Sequence, residues 1–137
     1  MRLKPQVDAS ARRLLAFLER NREEEIVKFP FSYSFPRNCC ESASLILIYL
    51  IEEKYRLDDI MLIKGTKPQK QEHHLWVSAE TWLYDLTAHQ FPRRRPIIGA
   101  LAHSLFFSFA EWKIEHDRDF VDRDLILDNY RRGVIPF

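Results

Sequence analysis

Glycine and cysteine are scarce in this chain, and neither sign of charge predominates. Only 3 of the 137 residues are glycine, which together with a hydrophobic content of 46% argues against a fibrous or disordered protein. The 21 basic and 20 acidic residues leave a net charge of +1, so the charge balance predicts neither a nucleic-acid nor a membrane partner. Because no internal repeat or Gly/Ser linker divides the sequence, we expect a single domain over residues 1–137.

Long apolar runs are also absent. The longest, from Leu45 to Ile51, ends at Glu52 and is far shorter than the roughly 20 residues of a membrane span. The first residues lack the apolar stretch of a signal peptide. The two cysteines, Cys39 and Cys40, are adjacent, and a disulfide between neighbours closes a strained ring. We therefore expect a reduced, cytoplasmic protein.

Helical periodicity appears near both ends of the chain. Apolar residues from Val7 to Leu18 recur at helical spacing, with Asp8 or Ser10 available as the N-cap. A closing helix is predicted over residues 119–132, with Gly133 at its C-terminal stop.

A third helix is predicted from Asn38 or Cys40 to Lys54, with Asn38 as its N-cap. It is apolar on most of its surface, which is typical of a central buried helix. The stretch Phe29–Pro36 before it, with two prolines and several aromatics, is expected to be a packed, irregular approach.

The period then changes to two, which indicates strands. Residues 60–63 are predicted to form a buried strand, and residues 65–71 are predicted to form a polar loop. Residues 73–79 and 82–87 form a predicted hairpin, and a further strand or two is expected within 96–114. Helices packed against an antiparallel sheet make the fold class α+β.

The hairpin brings a histidine close to an aspartate. If residues 80–81 form a two-residue turn, His74 lies opposite Thr87, and Asp85 is its diagonal neighbour on the same face. The carboxylate can then accept the ring N–H of His74 and hold its tautomer. A three-residue loop would place Asp85 on the face of His73 instead. We favour His74.

A thiol at the start of a helix supplies the third group. Cys40 in the first turn would experience the positive end of the helix dipole and free backbone N–H groups, both of which favour the thiolate. The same N–H groups can bind an oxyanion. Cys40, His74 and Asp85 are thus the parts of a Cys-His-Asp nucleophilic site.

Other interpretations of these residues stay open. The two cysteines can be buried structural residues, because free cysteine behaves as a small hydrophobe. They can also form a strained, reducible disulfide in a redox sensor. Zinc is disfavoured because the sequence has no CxxC or HxxxH spacing, so we expect no metal and no cofactor.

Four sequence blocks resemble a known superfamily. They are residues 40–45, Gly65, residues 74–77 and residues 84–91, within the region 36–92. They are similar to the transglutaminase-like/papain-like cysteine hydrolase superfamily, in particular to small bacterial and phage proteins with the pattern C-x-x-x-S … H-A-W-V … D-x-T-x-x-Q-F.

The resemblance implies a papain/transglutaminase-like fold in which a central buried helix carries the cysteine and packs against an antiparallel sheet carrying the histidine and the aspartate. By position, it makes Cys40 the nucleophile, His74 the general base and acid, and Asp85 the orienting carboxylate. A backbone N–H pair, with help from Asn38 or Tyr33, would bind the oxyanion. The residues expected to bind the oxyanion or to support the triad are Asn38, Cys39, Trp76, Thr87 and Gln90.

The expected function is a cysteine-dependent hydrolase or acyltransferase. The Cys40 thiolate would attack an amide or thioester carbonyl of a peptide, protein or small-molecule substrate, and water or an amine would resolve the acyl-enzyme. The alternative is a non-catalytic protein-interaction module of the same fold. Its partner would then bind the aromatic stretch Phe29–Phe35 or the basic loop Arg93–Arg95.

Overall fold

A computed structural model describes the whole chain, residues 1–137. It is an α+β fold of four α-helices and one five-stranded antiparallel sheet, which confirms the predicted class. The helices are α1 (Lys4–Glu24), α2 (Cys40–Tyr55), α3 (Ser104–Phe107) and α4 (Arg123–Arg131). The strands are β1 (Ile60–Lys67), β2 (Glu72–Ala79), β3 (Trp82–Asp85), β4 (Ile97–Ala100) and β5 (Glu111–Glu115), in the spatial order β4-β3-β2-β1-β5. No helix is both long and apolar enough to cross a membrane.

The hairpin between β2 and β3 has the predicted register. Ala79 pairs with Trp82 and Val77 with Tyr84, so residues 80–81 alone form the turn. Glu80 adopts a left-handed conformation there, with φ of 56°, and its N–H donates to the carbonyl of Asp59. The turn thereby places His74 and Asp85 on one face of the sheet.

Helix α2 is the centre of the hydrophobic core. Every residue from Ser42 to Ile51 is buried, as expected for a helix that is apolar around most of its circumference. It packs against β2, where Leu75 and Val77 belong to the same apolar cluster. Burial on all sides holds the N-terminus of α2 in a defined position beside the sheet.

Helix α1 begins earlier than predicted. It starts at Lys4, where Pro5 suits the first turn, and neither Asp8 nor Ser10 caps it. Both residues lie within the helix, and their side chains form hydrogen bonds with other elements instead. Asp8 accepts a hydrogen bond from the hydroxyl of Tyr84, and the hydroxyls of Ser10 and Tyr55 are 2.6 Å apart.

The start of α2 also differs from the prediction. Asn38 is not the N-cap; Cys39 occupies that position, and no side chain caps the first turn. Asn38 has a φ of 57°, a left-handed conformation that asparagine tolerates better than most residues. It therefore turns the chain into the helix rather than capping it.

Three other boundaries differ as well. Strand β3 ends at Asp85 rather than at residue 87, because the chain turns there into a short 3-10 helix over residues 88–90. The predicted loop 65–71 is strand up to Lys67, because β1 pairs there with both β2 and β5. Helix α4 starts at Arg123 rather than at residue 119, because the Asp122 side chain caps it by accepting the N–H groups of residues 124 and 125. Gly133, with φ of 76°, follows its end as predicted.

Candidate active site

His74 and Asp85 form a buried pair. The Nε2 atom of His74 lies 2.6 Å from Oδ2 of Asp85, and each side chain is only 1% exposed. The first comes from β2 and the second is the last residue of β3. The hydrogen bond fixes both the tautomer and the orientation of the ring.

The second carboxylate oxygen of Asp85 is also held. Its Oδ1 atom accepts the backbone N–H of Thr87 at 3.0 Å and the Thr87 hydroxyl at 3.2 Å. Gln90 in turn donates from Nε2 to the Thr87 hydroxyl at 3.3 Å. Two of the residues predicted to support the triad thus hold the carboxylate in place.

Aromatic rings enclose the imidazole of His74. Phe91 meets it edge-on with ring centroids 4.9 Å apart, Phe109 stacks on it at 5.8 Å, and Trp76 lies at 5.9 Å. Burial on its own lowers the pKa of His74, but the hydrogen bond to Asp85 and the interaction with the Cys40 side chain raise the pKa to about 9. The ring is therefore protonated at neutral pH.

Cys40 is close enough to this ring to raise its pKa. It is the first residue of α2, and its side chain is half-buried and interacts with His74. Because Nε2 of His74 is bound to Asp85, the ring nitrogen left for the sulfur is Nδ1. Three groups that are remote in the sequence therefore meet where the start of α2 reaches the sheet.

The neighbouring thiol is in a different environment. Cys39 is completely buried, and burial, reinforced by the nearby Cys40, raises the pKa of its thiol to about 12. Its thiol is protonated and out of contact with solvent at neutral pH. The two adjacent cysteines thus differ in their access to solvent.

Asn38 and Trp76, two further predicted site residues, differ in burial. Asn38 is exposed and precedes Cys40 by two residues. Trp76 is completely buried, and its indole N–H has no hydrogen-bond partner. It contacts the imidazole and Phe106 through its ring face, so its role is to pack against the site.

Phe109 is the site residue whose role the sequence did not reveal. It belongs to a buried apolar cluster and at the same time forms one wall around His74. It lies just after the short helix α3, outside any strand, so no periodicity in the sequence points it at the histidine. Only the packing of residues 104–109 against β2 places it there.

The site offers no obvious place for a metal ion. No group of three or more His, Cys, Asp or Glu side chains is arranged to hold one.

Comparison with protein-family models, curated proteins and solved structures found no match for this chain. The chemistry of the site therefore follows from its own geometry.

Proposed function

We propose that this protein is a cysteine-dependent hydrolase or acyltransferase with a papain/transglutaminase-like fold. Its substrate would be an amide, peptide or thioester carbonyl, and Cys40, His74 and Asp85 would be its triad. The observation that carries this proposal is the buried His74–Asp85 pair, whose ring also interacts with a half-buried thiol at a helix start.

The proposed reaction has two stages. The Cys40 thiolate attacks the carbonyl carbon, a sulfur–carbon bond forms, and the carbonyl electron pair moves to oxygen. As the tetrahedral intermediate collapses, the bond to the leaving group breaks and protonated His74 gives the leaving nitrogen its proton. Neutral His74 then takes a proton from water or an amine, which attacks the acyl-enzyme and releases Cys40.

The protonation state of His74 supports this order of events. A ring that keeps its proton up to about pH 9 is poorly suited to start the reaction as a base. It is suited to pair with a thiolate and to donate a proton to a leaving amine. Asp85 stabilises that imidazolium, and the surrounding aromatic rings keep water away from their hydrogen bond.

The start of α2 supplies donors for the oxyanion. The first backbone N–H groups of a helix have no partner within it, and no side chain caps those of α2. They are next to the sulfur, where the carbonyl oxygen of a thiol-bound substrate would develop negative charge. Exposed Asn38 lies beside them and is the side chain we propose as an additional donor.

Alkylation with iodoacetamide between pH 5.5 and 8.5 tests the nucleophile. We expect a single adduct on Cys40 and none on buried Cys39, located by peptide mass spectrometry. His74→Ala should slow the reaction at pH 6 about tenfold or more, whereas His73→Ala, an exposed neighbour, should leave the rate unchanged. Equal labelling of both cysteines with an ordinary alkaline profile would contradict the proposal.

Turnover separates an enzyme from an interaction module. A panel of amide and thioester substrates, followed by intact-mass detection of the acyl-enzyme, should give an adduct that Cys40→Ala abolishes. If a correctly folded protein forms no acyl-enzyme with any substrate of the panel, the result would favour the non-catalytic module instead.

A further inference from the structure

A cavity lies next to the proposed active site. It has a volume of about 630 Å³, within the range of small-molecule sites, and it opens between the end of α1, the loop before α2 and the turn after β3. Its polar lining includes Arg22, Tyr33, Arg37, His89 and Gln90.

The cavity shares two loops with the triad. Arg37 belongs to the loop that leads into Cys40, three residues before it. On the other wall, Gln90 donates to Thr87, which holds Asp85. A substrate whose carbonyl reached the thiol could therefore place another of its groups in this cavity.

The positive charge of this cavity is not neutralised within it. Arg37 makes no ion pair and no side-chain hydrogen bond, and Arg22 has only an exposed partner, Glu23, at 3.5 Å. Burial lowers the pKa of His89, so that ring is uncharged at neutral pH and the arginines supply the charge. Glu19 and Glu23 line an adjoining cavity of about 260 Å³ that shares Arg22 and His89 with this one, and Oε1 of Glu19 lies 4.0 Å from Nε2 of His89. The charge without an acidic partner is therefore that of Arg37.

An unused hydroxyl group accompanies that charge. The Tyr33 side chain is exposed at this cavity, and its hydroxyl makes no hydrogen bond within the chain, so it is free to donate one to a ligand. A guanidinium binds a carboxylate particularly well, through two parallel hydrogen bonds.

We propose that this cavity is the specificity site of the enzyme and binds a carboxylate of the substrate. The inference rests on the proposed function, and it names the substrate class: an acidic peptide or amide whose carboxylate lies a short distance from the carbonyl that Cys40 attacks. Arg37 is the main contact, because its charge has no partner in the chain.

A second basic cavity, of about 510 Å³, is a weaker candidate. It is lined by Lys67 and Lys70. The ammonium of Lys67 already lies 3.8 Å from Glu72 and 4.8 Å from the ring centre of Phe109. The charge of Lys67 thus already has partners within the protein, whereas the charge of Arg37 has none.

Matched covalent probes test the proposal. The probes are short peptidyl acyloxymethyl ketones that carry Glu or its isostere Gln at each of the first three positions from the reactive ketone. The Cys40 sulfur bonds to the methylene carbon as the acyloxy group leaves as a carboxylate, and intact-mass spectrometry follows the rate. At one position at least, we expect the Glu probe to react about tenfold faster than its Gln partner.

Two variants locate the source of this preference. Arg37→Gln should bring the Glu-to-Gln rate ratio close to one, because the Glu probe slows to the rate of the Gln probe. Arg2→Gln, at an exposed arginine that lines no cavity, should keep the ratio of the unchanged protein. A ratio near one in the unchanged protein, or a high ratio that survives Arg37→Gln, overturns the inference and leaves the proposed function standing.

Binding without reaction separates this inference from the proposed function. In Cys40→Ala, we expect a Glu-containing tripeptide amide to shift the Nε–H NMR signal of Arg37 and the Gln analogue to leave it in place. If that signal shifts but no probe reacts with Cys40, the carboxylate site is supported and the proposed enzyme fails. If neither peptide shifts it, the inference fails whatever the reactivity of the thiol.

Discussion

Gly65 lies directly beneath the indole ring of Trp76. A Cβ atom on residue 65 would lie 2.5 Å from Cη2 and 2.6 Å from Cζ3 of that ring, and 2.9 Å from Cβ of Phe109. Gly65 is also the cross-strand partner of His74 in the β1–β2 ladder. The absence of a side chain here lets two aromatic rings pack close to the histidine.

Gly65→Ala should therefore destabilise the protein by about 1–3 kcal/mol, because the Trp76 ring must move to accommodate the methyl group. The free energy of unfolding in urea measures the loss. Trp76→Phe removes the outer ring atoms that the methyl would meet, so the double variant should cost less than the sum of the single ones. Strict additivity would show that the steric conflict lies elsewhere.

The proton on His74 should make stability depend on pH. The pKa of this ring is about 9 in the folded protein, against about 6.5 for an unfolded histidine. Its contribution is fully present below pH 6.5 and is lost as the pH rises through 9, with a total of roughly 3 kcal/mol. Urea unfolding at successive pH values should show this decline.

Asp85→Asn is the control for that measurement, because it removes the partner that raises the pKa of His74. We expect the decline between pH 6.5 and 9 to shrink in this variant. Repeating both measurements in a Cys40→Ser background removes the contribution of the thiol. An unchanged pH dependence in Asp85→Asn would mean that the pair does not hold the proton.

Thr87 is a positioning residue, since it acts on the triad only through Asp85. Thr87→Val removes the hydroxyl donor to the carboxylate and should slow alkylation of Cys40 at pH 6 about threefold. Thr87→Ser keeps the hydroxyl and should restore the rate. A purely structural role would lower stability without altering the pH profile of alkylation.

A buried contact between Tyr84 and Asp8 joins α1 to the sheet. The tyrosine hydroxyl donates to Oδ1 of Asp8 at 2.5 Å, and Lys4 donates to the other oxygen. Tyr84→Phe leaves that carboxylate oxygen without its buried donor and should destabilise the protein by about 1–3 kcal/mol. Tyr33→Phe, at an exposed tyrosine without a hydrogen bond, should change the unfolding free energy by less than about 0.5 kcal/mol.

Much of the site could be predicted from local patterns. Alternation along two strands, with a turn at residues 80–81, favoured His74 as the neighbour of Asp85, and the hairpin has this register. The apolar circumference of α2 indicated its burial. These features depend on the spacing of residues within one element or one hairpin, and such spacing can be recognised in a single sequence.

Other features depend on contacts between distant segments. The left-handed Asn38 at the entry to α2, the extension of β1 to Lys67 and the position of Phe109 beside His74 each required knowing which elements pack together. The difference between Cys39 and Cys40 is of the same kind. Adjacent residues of one type differ because the fold buries one and leaves the other open to the site.

The amino-acid sequence by itself predicted the α+β class, favoured the observed hairpin register and supplied three chemically matched side chains. Tertiary packing alone decided that α2 brings its first residue to the imidazole and that Arg37 and His89 share a cavity. The physical reason is that periodicity encodes which face of an element is buried, whereas the energy that selects its neighbours is distributed over the whole core.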